Sequence, residues 1–249
     1  MAPAILMRGV TFAYNGANVL DGVDLAIPEQ EFVSVVGPNG GGKTTLLKLI
    51  LGLLQPGEGY IRVLGRSPRE ARNEIGYVPQ HAALDAQFPV NVMDVALMGR
   101  LNKTRQFGPY SRGDKQAACR ALDEVGMCDY SDRPFAALSG GQRQRVLIAR
   151  AIAPEPRLLL MDEPAANLDV SVEENLFELL RHLNRRMTIV LVSHDIGFVS
   201  KHIGRVVCVN RRVMTHPTSE LNGTLIKKLY GEGMRIIRHD QSIEERYES

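Results

Sequence analysis

Few cysteines, almost no net charge and no long apolar run mark this 249-residue sequence, and each shortage excludes something. The three cysteines, Cys119, Cys128 and Cys208, are odd in number, scattered and without CxxC spacing. Neither a disulfide framework nor a zinc site is expected, and they read as free thiols in a reducing cytosol. Lys and Arg number 30 against 28 Asp and Glu, a formal net charge of +2. No global electrostatic pull toward nucleic acid follows, and no nucleic-acid partner is expected. No segment approaches the roughly eighteen uninterrupted apolar residues of a membrane span. The nearest, Leu46 to Leu54, is too short and contains Lys48 and Gly52. The opening Met-Ala-Pro-Ala-Ile-Leu-Met-Arg lacks the basic start and apolar stretch of a signal peptide. A soluble chain is expected, with any membrane role coming through a partner.

What is present is an alternation. Apolar residues make up 44% and charged residues 23%, as in globular proteins. Short strand-like runs at Phe32–Val36, Leu158–Met161, Ile189–Val192 and Val206–Val209 are separated by helix-like segments, which predicts an α/β core with a largely parallel sheet. Ahead of it, Ile5–Tyr14 and Val19–Ile27 alternate as antiparallel strands do, with turn signals at Asn15-Gly16 and Asp21-Gly22. Between about Phe88 and Ala137 the pattern turns helical: Val90–Met98 and Asp114–Val125 carry apolar residues at helical spacing, with Asp114 a plausible cap. The segment from about Glu232 is polar and charged and reads as a solvated tail.

The most specific motif is Gly37-Pro38-Asn39-Gly40-Gly41-Gly42-Lys43-Thr44, which fits G-x-x-x-x-G-K-[ST]. It follows the run Glu31–Val36 and opens an apolar-faced helix from Thr45 to Leu54, the context of a phosphate-binding loop. Glycines let backbone amides curl into an anion nest, and the helix N-terminus adds its dipole. Lys43 supplies a point charge for β- and γ-phosphates, and the Thr44 hydroxyl can ligate Mg²⁺. Downstream, Leu158-Leu-Leu-Met161 ends in Asp162-Glu163-Pro164. A buried strand ending in a carboxylate places Asp162 to orient Mg²⁺ and Glu163 to polarise an attacking water as general base. A third element, Leu138-Ser139-Gly140-Gly141-Gln142, offers a second anion-binding turn at a helix start. One nucleotide needs one such loop, so a second is surplus unless it faces the nucleotide of another copy.

In their order these motifs resemble those of ABC-type ATPase domains, from about Ile5 to Asn210. The resemblance implies an α/β P-loop NTPase core with a mostly parallel sheet, an N-terminal antiparallel β subdomain and a helical subdomain of about residues 88–150, all within residues 1–231. Residues 232–249 form the tail. It implies a homodimer with ATP at the interface: Gly37–Thr45, Gln80, Asp162, Glu163 and His194 on one face, and Ser139, Gly140, Gly141, Gln142 and Asp169 serving the partner's nucleotide. Tyr14 resembles the aromatic that stacks on adenine. Gln80 resembles the Q-loop glutamine at Mg²⁺ and the attacking water, and His194 the switch histidine at the γ-phosphate. Gly41 stands where the family more often has a small side chain, which is expected to loosen the loop without removing a ligand.

The stretch Gln87–Arg100 is similar to the part of bacterial zinc and manganese importer subunits that meets the membrane permease, and less closely to that of iron-chelate importers. The expected function is ATP hydrolysis powering divalent-metal import at the cytoplasmic face of a bacterial membrane, with a permease and, indirectly, a substrate-binding protein. An exporter of a lipid, drug or haem group is the main alternative. A soluble ATPase of repair or translation would be expected to carry long coiled-coil insertions or two ATPase domains, neither of which is present. His216 and His239-Asp240 lack metal-ligand spacing and read as solvated histidines.

Overall fold

The computed structural model describes residues 3–80, 89–101, 109–165, 169–193 and 202–218. Two sheets carry the fold. A three-stranded antiparallel sheet, ordered β2-β1-β4, is built from β1 (Pro3–Tyr14), β2 (Ala17–Pro28) and β4 (Glu58–Val63). A six-stranded sheet is ordered β5-β6-β7-β3-β8-β9, from β3 (Phe32–Val36), β5 (Ile75–Val78), β6 (Leu158–Asp162), β7 (Thr188–Val192), β8 (Arg205–Asn210) and β9 (Arg212–Pro217). All its pairings are parallel except β8 with β9.

Asn15 and Gly16 make the β1–β2 turn, both with positive φ (48° and 82°), as the tight hairpin turn demands. Asp21-Gly22 is not a turn. Val10 pairs with Val23 and Phe12 with Leu20, so β2 runs through these residues as a bulge, with Gly22 at φ 57° taking up the extra residue.

Strands β3, β6 and β7 are buried at every position, which their unbroken apolar runs require of a sheet covered on both faces. The period of two then divides the core. Val33, Val35, Leu158 and Leu160 pack toward the antiparallel sheet and α1 (Lys43–Ile50), whereas Phe32, Val36, Leu159 and Met161 pack toward the helices on the other side. A short helix, α2, spans Pro68–Ala71.

Among the described residues the helical region holds α3 (Val92–Met98), α4 (Arg112–Glu124) and α5 (Gly140–Ile152). Asp114 is not the cap of α4. Ser111 is, accepting from the Asp114 amide, while the Asp114 carboxylate bonds back to the Ser111 amide. Asp114 is 1% exposed and also takes the Arg100 Nε at 3.0 Å, and Arg100 donates to the Ala153 carbonyl at 3.2 Å. This ion pair fastens the end of α3 to the start of α4 and the end of α5. Gly99 lies against the Arg150 carbonyl where a Cβ would collide, so α3 and α5 touch backbone to backbone. Helix α6 (Val170–Asn184) lies on the sheet, with Phe177 stacked on Phe32 at 6.1 Å.

His216 sits in β9 opposite Val206, half-buried rather than solvated, because β9 closes the sheet edge. His239, Asp240 and the 232–249 tail lie outside the described residues. Among the described residues no helix is long and apolar enough to cross a membrane.

The free cysteines divide sharply. Cys119 and Cys128 are exposed, whereas Cys208 is fully buried in β8 and burial pushes its thiol up to about 11. Its thiolate is therefore scarce at pH 8 as well as inaccessible. Native protein at pH 8 should label rapidly at two thiols, with the third reacting only on denaturation. Three equal rates in the native protein would contradict the burial of β8.

Candidate nucleotide site

Parallel neighbours point their C-terminal ends the same way, and four motif segments begin at those ends. Residues 37–42 follow β3, Gln80 follows β5, Asp162 and Glu163 end β6, and Ser193 follows β7. Topology alone thus gathers residues separated by more than 150 positions. His194, expected to complete the set, lies outside the described residues.

The loop between β3 and α1 is clamped from two sides. A Cβ on Gly37 would fall well inside contact distance of the Val209 carbonyl oxygen in β8, and one on Gly41 would lie 2.7 Å from the same atom. On the other flank, a Cβ on Gly42, at φ 105°, would meet Leu20 Cδ2 at 2.9 Å and the Val19 carbonyl at 3.1 Å. Gly41 therefore does not loosen the loop. The missing side chain lets the backbone seat on β8, where the Gly41 amide donates to Pro38 at 3.0 Å and its carbonyl accepts from the Arg211 amide at 3.1 Å. Asn39 and Gly40 stay exposed at the loop's crest.

Lys43 is 6% exposed, and its Nζ folds back to donate to the carbonyls of Gly37 (2.8 Å) and Pro38 (3.0 Å). Burial lowers its pKa, opposed by the nearby carboxylates of Glu163 and Asp162. Thr44 is exposed and donates to Asp162 Oδ2 at 3.4 Å, whereas Thr45 is 8% exposed. Asp162 is 4% exposed. The Thr44 hydroxyl and Asp162 carboxylate are adjacent hard oxygen donors, the chemistry that suits Mg²⁺.

Glu163 adopts φ 51°, a left-handed conformation that costs a non-glycine residue roughly 1–2 kcal/mol. Its amide donates to the Val192 carbonyl at 3.1 Å, which holds the turn, and its carboxylate accepts from Gln80 Nε2 at 2.5 Å. A strained backbone beneath an acidic residue at the end of a buried strand is consistent with a position whose direction matters. Tyr14 lies at the end of β1, 43% exposed, edge-on to Phe12 at 4.8 Å.

The second turn stands apart from the first. Ser139 caps α5, its Oγ accepting from the Gln142 amide at 3.3 Å while Gln142 Oε1 takes the Ser139 amide at 3.0 Å. Helix geometry leaves the Gly140 and Gly141 amides without intrahelical acceptors. Gly141 also touches α6: a Cβ there would lie 2.6 Å from Val172 Cγ1, and Val172 donates its amide to Asp169, the N-cap of α6. The start of α5 and the first turn of α6 are therefore packed together at Gly141 and Val172. Nothing in the sequence points to Val209 and Arg211, because their contribution is backbone and their side chains give no signal.

A family model described as ABC transporter matches residues 20–166. The chain is 39% identical to the zinc transport system ATP-binding protein TroB of Treponema pallidum, over 92% of this chain and 88% of that one. It is 35% identical to the manganese transport system ATP-binding protein MntB of Bacillus subtilis, over 93% and 94%. A solved metal-chelate type ABC transporter in an inward-facing conformation superposes with a TM-score of 0.83 at 32% identity, covering 92% of this chain and 89% of that one. With an α/β core, a separate antiparallel sheet, a helical region and motifs gathered at the strand ends, the chain belongs to the ABC transporter family and is one of its ATP-hydrolysing, ATP-binding subunits.

Proposed function

We propose that this chain powers import of a divalent metal ion, zinc or manganese, as a homodimer beneath a membrane permease on the cytoplasmic face of a bacterial membrane. The cargo reading is carried by the likeness to zinc and manganese transport subunits over nine-tenths of the chain. In the bound state Gly37–Thr45 cradle the phosphates, with Tyr14 under the adenine. Mg²⁺ held by Thr44, Gln80 and Asp162 would offset charge on the β- and γ-phosphates. Lys43 exchanges its two loop carbonyls for phosphate oxygens. Glu163 takes the proton of the attacking water, with Gln80 and His194 orienting water and γ-phosphate. Ser139, Gly140, Gly141, Gln142 and Asp169 close the other subunit's site.

The permease side is supported by a cavity of about 270 Å³ between β5, α3 and α5, lined by residues that include Arg72, Asn73, Tyr77, Met98, Gly99 and Arg150. Its lining has two guanidinium groups and no carboxylate, and burial alone depresses the Arg150 pKa. A charge-bearing loop of a permease fits such a cleft, and α3 belongs to the segment expected to meet it. The binding protein that would deliver the ion acts on the permease and needs no contact here.

A metal-chelate cargo is the second reading, favoured by the 32% identical solved transporter. Reconstitution with its permease in vesicles separates the two. ATP-dependent uptake of free zinc or manganese is expected. Uptake confined to a chelated ion would move the assignment to chelates, and export would overturn both.

Two substitutions test the site. Glu163→Gln should lower kcat by at least roughly a hundredfold while ATP-dependent dimers persist, and undiminished hydrolysis would remove Glu163 as the base. Gly37→Ala forces the loop off Val209, an overpacking cost of about 1–3 kcal/mol, so ATP affinity should fall roughly fivefold or more. An unchanged Kd would show that the loop tolerates a side chain there.

A further inference from the structure

The turn between β8 and β9 is made by one residue. Asn210 and Arg212 are register partners, and Arg211 between them adopts φ 57°. A left-handed arginine is uncommon, and glycine would fit the position without strain. What the conformation achieves is a bridge. The Arg211 amide donates to the Gly41 carbonyl at 3.1 Å, and the Arg211 carbonyl accepts from the Asp21 amide at 2.8 Å. Asp21 lies in the β2 bulge, where its amide is released from the ladder to point outward. One residue thus ties the phosphate loop to the antiparallel sheet that ends at Tyr14.

The Gly41 carbonyl and the Gly42 amide belong to one planar trans peptide, in which C=O and N–H point in opposite directions. Whatever holds the carbonyl therefore aims the amide. Because the Arg211 amide holds the Gly41 carbonyl toward the β8–β9 turn, the Gly42 N–H faces the opposite side. Gly42 is the N-cap of α1, where helix amides have no intrahelical acceptor. If the peptide flipped, a carbonyl oxygen would stand where a phosphate oxygen must sit.

We propose that Arg211 is a positioning residue for nucleotide binding: its left-handed backbone fixes the 41–42 peptide so that the Gly42 amide faces the phosphates. The inference rests on residues 37–45 being the phosphate loop. It assigns a role to the backbone of Arg211 and none to its guanidinium.

The test compares Arg211→Gly with Arg211→Val. Both remove the side chain, so their difference reports backbone conformation, which glycine permits and a β-branched residue resists. In the ATPase, Arg211→Gly should keep the parent KM for ATP, whereas Arg211→Val should raise it roughly tenfold with kcat at saturating ATP within about twofold. A merely structural role would instead lower the melting temperature without separating KM from kcat. Equal KM values for the two variants overturn the proposal. Should Arg211→Val fail to fold, amide exchange at Arg211 in the parent protein decides. Exchange slowed roughly tenfold by ATP supports the proposal, and an unchanged rate overturns it. A parent protein that binds no ATP would instead overturn the reading of residues 37–45.

Discussion

Gly37 and Gly41 rest on the carbonyl of Val209 with no side chain between them, and the shape of the 37–42 loop depends on keeping that contact. An anion nest works only if several amides hold one direction against the pull of water and of their own carbonyls. Fixing each residue's backbone costs roughly 1–2 kcal/mol in entropy, which a six-residue loop rich in glycine could not offset from its own contacts. The surroundings supply it: β8 beneath Gly37 and Gly41, Val19 and Leu20 beside Gly42, and Arg211 on the Gly41 carbonyl. Glycine serves here for close approach more than for flexibility.

The charges around this loop follow from its burial. Lys43 is nearly enclosed, so its ammonium must be hydrogen-bonded, and the carbonyls of Gly37 and Pro38 hold it. Asp162 and Glu163 raise its pKa against the lowering by burial. In the bound state proposed above, incoming phosphates would add the negative charge that lets the lysine leave those carbonyls without losing its compensation. Glu163 sits at the far side of this arrangement in a strained backbone conformation, bonded to Gln80. That bond joins the end of β6 to the end of β5, beyond which the chain proceeds to the helical region.

Much of this was legible in sequence because it depends on side-chain type. The runs Phe32–Val36, Leu158–Met161 and Ile189–Val192 are buried strands because nothing in them tolerates water, and the loop motif between one such strand and a helix has few other uses. What stayed hidden depends on backbone or context. Strand β9 reads Arg-Val-Met-Thr-His-Pro, with too few apolar residues to announce itself, and forms because it pairs with β8. Asp21-Gly22 has turn chemistry, yet β1 continues alongside and the dipeptide becomes a bulge. Asp114 has cap chemistry, but Ser111 three residues earlier takes the cap and leaves Asp114 for Arg100. At Gly41 the residue type was plain and its meaning was not, because the meaning lies in Val209, which is 168 positions away.

The same dependence on packing bears on the two separate half-sites proposed for this chain. The Ser139–Gln142 turn opens α5, and α5 is joined to α3 and α4 through Arg100, Asp114 and the Gly99 contact. It also meets Val172 in the first turn of α6, whose cap is Asp169. These contacts join the helical region to the first turn of α6. In the dimer proposed here, the signature turn of one subunit would close over nucleotide held by the other. The cavity that includes Arg72 and Arg150 in its lining lies between α3, α5 and the β5 edge, where Gly76 meets the Ala151 carbonyl with no room for a Cβ. Work done on a permease seated there would come from the same rigid connection that lets a glycine at 141 touch a valine at 172.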